Sequence, residues 1–240
     1  MVCATGSLLA VADVQVGTSG WSYKDWVGSL YPPGTSSARM LTAYAERLPT
    51  VEAHNTFRRR PRPSTLDGWA AATPSSFTFA FKAHVAITHQ RDLAGVEDRI
   101  TDFFDALAPL GDRVGPVLFQ LPHRDVDLDR LDRLLAALPP SAPAAFELGP
   151  AWNVPEVLAR LDKVGATLVV VDKDGDEPAL PEVGSIAYVR LRRDRYDDAA
   201  LARWADRLGA MARRDRPAFA YLRHEGDPLE AVRLLDAVRA

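Results

Sequence analysis

The octapeptide FTFAFKAH, residues 77–84, alternates bulky Phe77, Phe79 and Phe81 with Thr78, Ala80, Lys82 and His84. Successive side chains on a strand point to opposite faces, so this period of two reads as β with one aromatic face. The aromatic face is expected to meet helices, and the other to look into an interior. Seven more runs share this character: VQVGTS (14–19), TVEAHNT (50–56), GPVLFQL (115–121), AAFEL (144–148), ATLVVVD (166–172), IAYVRLR (186–192) and AFAYLRH (218–224). Each is rich in β-branched or aromatic residues and bounded by Gly, Pro or charged residues.

Helical periods fill most of the gaps between them. Ile100, Phe103, Phe104, Leu107 and Leu110 recur every three to four residues, as do Leu128, Leu131, Leu134, Leu135 and Leu138. Leu201, Trp204, Leu208 and Met211 mark another helix, and Leu229, Val232, Leu235 and Val238 the last. Weaker patterns cover 38–48, 64–73 and 155–164, whereas 173–185 reads as loop. Strands alternating with helices pair in parallel through right-handed crossovers. Eight of them at similar spacing favour closure: a TIM-like (β/α)8 barrel over 14–240, with the helix between strands six and seven short or missing, after an N-terminal extension at 1–13. The rival fold, an open doubly wound sheet, usually carries a glycine-rich phosphate loop after its first strand; neither GxGxxG nor GxxxxGK[ST] occurs here.

Composition limits the function classes. A hydrophobic share of 47% supports a sizeable core, and a net charge of −3 gives no global basic field for nucleic acid or anionic lipid. Cys3 is the only cysteine, so neither an intramolecular disulfide nor a cysteine-rich metal site is available. The apolar run at 8–12 lacks a basic flank, and no stretch approaches the ~20 apolar residues of a membrane helix. A cytoplasmic protein without a membrane partner is expected.

In such barrels the functional site lies at the C-terminal ends of the strands. Alternation places Thr50, Glu52 and His54 inward, with Lys82, His84, Gln120, Glu147, Asp172, Tyr188, Arg190 and Arg192. On the last strand either Tyr221 and Arg223 or His224 faces inward. All five histidines, His54, His84, His89, His123 and His224, fall at or just after a strand tip.

Several stretches resemble the YecE-like family, domain of unknown function 72. The most specific is GTSGWSYKDWVGSLYPPG (17–34); VEAHNTFRRRP (51–61), FTFAFKAHVAITH (77–89), GPVLFQLP (115–122), FELGPAW (146–152) and YVRLR (188–192) follow in order. The resemblance spans nearly the whole chain. It implies a barrel related to metal-dependent isomerase and endonuclease barrels, and supplies no reaction. The chain reads as a divergent member: His54, Asn55 and Arg58 stand where the family has Asn, Ser and Tyr, and Gly149 and Pro150 replace an Arg-His pair. Arg192 and Arg193 replace an R-x-H-G ending, and Arg223 and His224 an asparagine-rich one.

Glu52, Glu147 and Lys82 are the candidate catalytic residues, with Arg190 as a forked anion donor. Charges facing one interior are costly unless they pair or bind something. Paired carboxylates can divide acid and base roles, and a lysine of depressed pKa can form a Schiff base. An internal salt-bridge plug is the plainer alternative. Gln120, His84 and the Thr88–His89 pair of the ITH motif are candidate ligand contacts; Thr88 has the alternative of capping the next helix. Trp21 and Tyr23 in the long first loop, and Trp152 after strand five, are either a stacking wall over a ligand or ordinary packing. His54, His84 and His224, with Glu52 or Glu147, are candidate ligands of a divalent metal, which nearby Lys82 and Arg190 disfavour. His123 is expected to face solvent. The clusters Arg58, Arg59, Arg60 and Arg62, and Arg192, Arg193 and Arg195, form either a positive rim or a solvated surface; Arg213, Arg214 and Arg216 belong to the opposite end.

The expectation is an enzyme, a hydrolase or lyase, acting on a small polar or anionic molecule. A ligand-sensing barrel without turnover is the alternative, and nucleic-acid processing a weaker one.

Overall fold

The structure, a computed structural model, describes residues 14–90, 93–122, 126–140, 142–173, 177–212 and 216–240. The extension at 1–13, His123, Arg213 and Arg214 lie outside the described residues. Among these, strands β1 (Val14–Thr18), β2 (Thr50–Ala53), β3 (Thr78–Lys82), β4 (Val114–Gln120) and β5 (Ala144–Glu147) coincide with the first five runs. The sixth run is broken at Val169 into β6 (Thr167–Leu168) and β7 (Val170–Asp172); β8 (Ala187–Leu191) and β9 (Ala218–Leu222) complete the set. All pairing between these strands is parallel, in two sheets ordered β2-β3-β4-β5-β6 and β7-β8-β9-β1.

The two sheets follow one another around a TIM-like ring with two discontinuities. One is the break at Val169, whose amide still donates to Phe146 O at 2.9 Å. The other is the seam between β1 and β2, held by a single parallel bridge, Ser19 to Glu52, and by the Gly20 amide on Glu52 O at 2.9 Å. Gly17 fits this seam because a Cβ there would come within 2.1 Å of Thr50 O. The Tyr44 hydroxyl bridges the same gap, accepting from Thr18 N at 2.9 Å and donating to Thr50 O at 3.0 Å.

Helices α1 (Met40–Ala45), α2 (Pro63–Ala72), the single turn α3 (Val85–Thr88), α4 (Val96–Leu107), α5 (Leu128–Ala136), α6 (Pro155–Lys163), α7 (Asp198–Ala212) and α8 (Leu229–Arg239) cover the outside. Local chemistry explains their limits. Proline opens α2 and α6, where its missing N–H costs nothing. Asp127 caps α5 by accepting from Arg130 N at 2.9 Å, and Leu131, Leu134 and Leu135 form its buried face. As expected from the loop-like 173–185, the described residues of that segment form no helix. Among the described residues no helix is long and apolar enough to cross a membrane.

Apolar packing falls into two clusters. The larger fills the space between strands and helices and takes Phe77, Phe79 and Phe81, as the alternation requires. The smaller, including Ala80, Leu118, Ala145, Tyr188 and Tyr221, fills the inside of the ring. On β9 it is therefore Tyr221 that faces inward, its hydroxyl 2.9 Å from Thr50 Oγ1. Asp172 corrects the alternation. It turns outward, accepting from Trp204 Nε1 of α7 at 3.0 Å and from the Tyr196 hydroxyl at 3.1 Å, with Arg193 Nε at 2.8 Å. The run ATLVVVD is apolar on both faces, so it gives no cue to its own phase, and its one acid pairs with the helix layer instead.

Candidate functional site

Lys82, Gln120 and Glu147 are the last residues of β3, β4 and β5, and Glu52 and Arg190 the next to last of β2 and β8. Register sets Gln120 directly beside Glu147. The alternation thus delivers all five to the inner face at one end of the ring.

There they form one hydrogen-bonded series. Lys82 Nζ donates to Gln120 Oε1. Gln120 Nε2 donates to Glu147 Oε1 at 2.6 Å, and the two terminal nitrogens of Arg190 divide between Glu147 Oε2 at 2.5 Å and Glu52 Oε1 at 2.8 Å. Glu52 Oε1 also accepts from Ser19 Oγ at 2.7 Å and Arg192 at 3.3 Å, while Oε2 takes the Tyr188 hydroxyl at 2.8 Å. Arg190 Nε is buried without a partner among the described residues.

Environment divides the two carboxylates. Glu52 is wholly buried, which alone would raise its pKa; Arg190 and Arg192, with the Ser19 and Tyr188 hydroxyls, outweigh burial and hold it at about 2. It remains an anion at any ordinary pH. Glu147 lies at the wall of an open cavity of about 1580 Å³, together with Lys82, Gln120 and Arg190. Burial, then the positive charge of Arg190, pushes the Lys82 ammonium below its usual range. The face of Phe57, 4.2 Å from Nζ, favours the cation in return. A cavity above the roughly 300–1,000 Å³ of small-ligand sites leaves room beyond one small molecule. Its wall is rich in Arg and Lys, Arg58, Arg59 and Arg62 among them, against the acids Glu147 and Glu225. Of the two arginine clusters, Arg58, Arg59, Arg60, Arg62 and Arg192 line the cavity, and Arg193 and Arg195 do not.

The remaining candidates separate. His54 and His224 line the cavity, their rings stacked at 5.7 Å, and Tyr23 stacks beneath His224 at 4.7 Å. Burial, opposed by Glu52 but joined by His224, lowers the pKa of His54. His84 stands apart from that pair: its Nδ1 accepts from Ala86 N at 3.2 Å, capping α3. The three histidines are thus not gathered as a metal set, and the described residues contain no cluster of three or more His, Cys, Asp or Glu placed to hold an ion. Thr88 is buried beside His89 Nδ1 at 2.8 Å, and His89 packs edge-on against Phe57 at 5.1 Å. Trp21 packs on Trp69 at 4.9 Å, and Trp152 is buried in the outer core. Trp21, Tyr23, His84, Thr88, His89 and Trp152 do not line the cavity.

The family model described as a protein of unknown function, DUF72, matches residues 15–240. The chain belongs to the DUF72 family. YecE of Escherichia coli K12 is 32% identical over 109 residues, 45% of this chain and 38% of that protein. YunF of Bacillus subtilis is 33% identical over 116 residues, 45% of this chain and 40% of that protein. Each alignment thus spans about two fifths of the relative's length. A solved DUF72 protein of Thermotoga maritima superposes with a TM-score of 0.77 at 21% identity, covering 95% of this chain and 99% of the other. One from Enterococcus faecalis gives 0.76 at 19%, covering 95% and 96%. These likenesses establish the TIM-like fold.

Two site residues of this DUF72 chain escaped sequence reasoning. Ser19 shares the inward phase of Gln15 and Gly17, so the alternation of β1 pointed to it. Phe57 lies beyond the tip of β2 in a 3-10 turn (His54–Phe57), where alternation gives no guide.

Proposed function

We propose that this DUF72 chain is an enzyme that draws a small anionic molecule into the barrel mouth. The observation that carries the reading is the Lys82–Gln120–Glu147–Arg190 series, which opens onto a cavity whose charged lining is mostly cationic. Arg190 keeps its charge and steadies negative charge near the reacting atoms. Glu147 and Lys82, both on the cavity wall, handle protons. Glu52 serves as a permanent anion that aims Arg190, since its low pKa bars it from taking a proton near neutrality.

The test is a panel of phosphate esters, mono- and dicarboxylates and neutral sugars, followed by thermal shift and then by NMR for conversion. Anions are expected to raise the melting temperature and neutral sugars to leave it unchanged. Glu147→Gln and Lys82→Met should bind but not convert. Equal binding of neutral compounds, or turnover surviving in both variants, would defeat the reading.

A second reading, a barrel that senses such a ligand without turnover, draws on the saturation of Glu52 by four side-chain donors. Binding with no product would favour it. Tight oligonucleotide binding that weakens steeply with salt would instead favour a nucleic-acid role for Arg58, Arg59 and Arg62. A cytoplasmic location accords with the single cysteine, and fractionation tests it.

A further inference from the structure

Of the 29 basic residues only Lys24, Lys82, Lys163 and Lys173 are lysines; the rest are arginines. The distinction is chemical. A guanidinium keeps its proton at every ordinary pH, whereas an amine becomes a nucleophile once the ammonium form is disfavoured. Lys82 alone of the four ends a strand on the inner face of the ring.

Its neighbours set it apart from an ion-pair lysine. Arg190 takes both Glu52 and Glu147, so the acids of the site pair with a guanidinium rather than with this amine. Nζ is left with neutral partners, the amide oxygen of Gln120 and the ring of Phe57. Among the described residues no carboxylate makes an ion pair with it. Burial and the charge of Arg190 act against the ammonium and outweigh the opposing charges of Glu52 and Glu147. Over the same Phe57 ring, 5.3 Å from its centroid, stands the guanidinium of Arg58, which lines the cavity and has no ion-pair partner among the described residues. One ring therefore has beside it both an amine and a cation without an ion-pair partner among the described residues.

We propose that Lys82 forms an imine with an aldehyde or ketone that carries a phosphate or carboxylate group, the anionic end being held by Arg58. The inference rests on reading the mouth as an anion site and names its chemistry. The neutral amine adds its lone pair to the carbonyl carbon, and the carbonyl electron pair moves to oxygen, which takes a proton. The nitrogen gives up its first proton. The carbinolamine hydroxyl takes a second proton and leaves as water while the nitrogen lone pair closes the C=N bond, and loss of the remaining nitrogen proton leaves the neutral imine. One carbonyl compound and one amine thus give one imine and one water, with no oxidant or reductant. Glu147, on the same wall, is placed to pass the proton from nitrogen to oxygen. Of the two reaction classes expected from the sequence, an imine suits a lyase, because the protonated nitrogen draws electrons from a neighbouring C–C or C–H bond.

The experiment incubates the full chain with pyruvate, dihydroxyacetone phosphate or neutral dihydroxyacetone, reduces with cyanoborohydride and maps the product by mass spectrometry. Binding of each probe is measured in parallel by calorimetry. One adduct is expected, on the peptide holding Lys82, with several-fold more label there than on Lys24, Lys163 or Lys173. Pyruvate labelling points to a carboxylate substrate, and labelling by the phosphate ester to a phosphorylated one. Lys82→Arg, which keeps the cation and its amide contact, and Lys82→Met should both be unlabelled. Arg58→Ala should label more slowly at low probe concentration. Label spread evenly over the four lysines, or equal labelling by neutral dihydroxyacetone, overturns the proposal. Anionic probes that bind without being trapped overturn the imine and leave the anion site standing. Failure of both anionic probes to bind overturns both.

Discussion

Glu52 and Asp172 are both buried with partners on each carboxylate oxygen, and they lie on opposite faces of the ring of strands. Asp172 points outward from β7 towards the helix layer, where Trp204, Tyr196 and a partly exposed Arg193 satisfy it. Glu52 points inward from β2, and its partner Arg190 passes the connection on to Glu147, Gln120 and Lys82 at an open wall. The first arrangement ties a helix to a strand and stays off the cavity wall. The second continues until it lines the cavity. Burial and pairing alone therefore do not mark a functional acid; what separates the two is whether the chain of contacts opens onto the cavity.

The largest effect should come from Glu52→Gln. Removing one partner of a buried ion pair typically costs about 3–5 kcal/mol, because the cations left behind stay desolvated. In a domain of this size that lowers the melting temperature by about 10 °C, readable by calorimetry. A change of only a degree or two would mean that Arg190 and Arg192 do not depend on this charge.

Acid should act through the same group. Unfolded, Glu52 titrates near 4.5; folded, at about 2. The unfolded chain takes up this proton first, so the stabilisation is complete above 4.5 and drains away as the pH falls through 2. It amounts to about 3 kcal/mol. Denaturant midpoints measured from neutral pH to about pH 3 should fall more steeply for the unmodified protein than for Glu52→Gln. Parallel profiles would remove the electrostatic half of the contrast.

The smallest effect sharpens the other side. Asp172→Asn should cost about 1–3 kcal/mol by leaving one of its donors opposite an amide NH2. Ligand affinity at the mouth should not move. If it moved as much as in a cavity-wall variant, the two networks would not be separate.

The sequence carried much of this, and its failures have physical causes. Alternation gave Glu52, Lys82, Gln120, Glu147 and Arg190 correctly, because each stands inside a strand whose other face is plainly apolar. Asp172 was misplaced because its strand is apolar on both faces. His84, Thr88, His89 and Trp152 lie past the ends of their strands, in turns where the period of two has lapsed. There, proximity to a strand tip in the chain is not proximity to the mouth in space. The break at Val169 and the seam at Gly17 left no mark in periodicity, since each is a matter of how neighbouring strands meet.

That seam bears on more than architecture. The oxygen through which Glu52 grips Arg190 is the one that receives the Ser19 hydroxyl, and Ser19 is the residue whose bridge joins the first strand to the second. A single atom is thus both clasp and fulcrum. The mouth and the closure of the ring therefore share one side chain, and a pull on the arginine would be felt first at that joint.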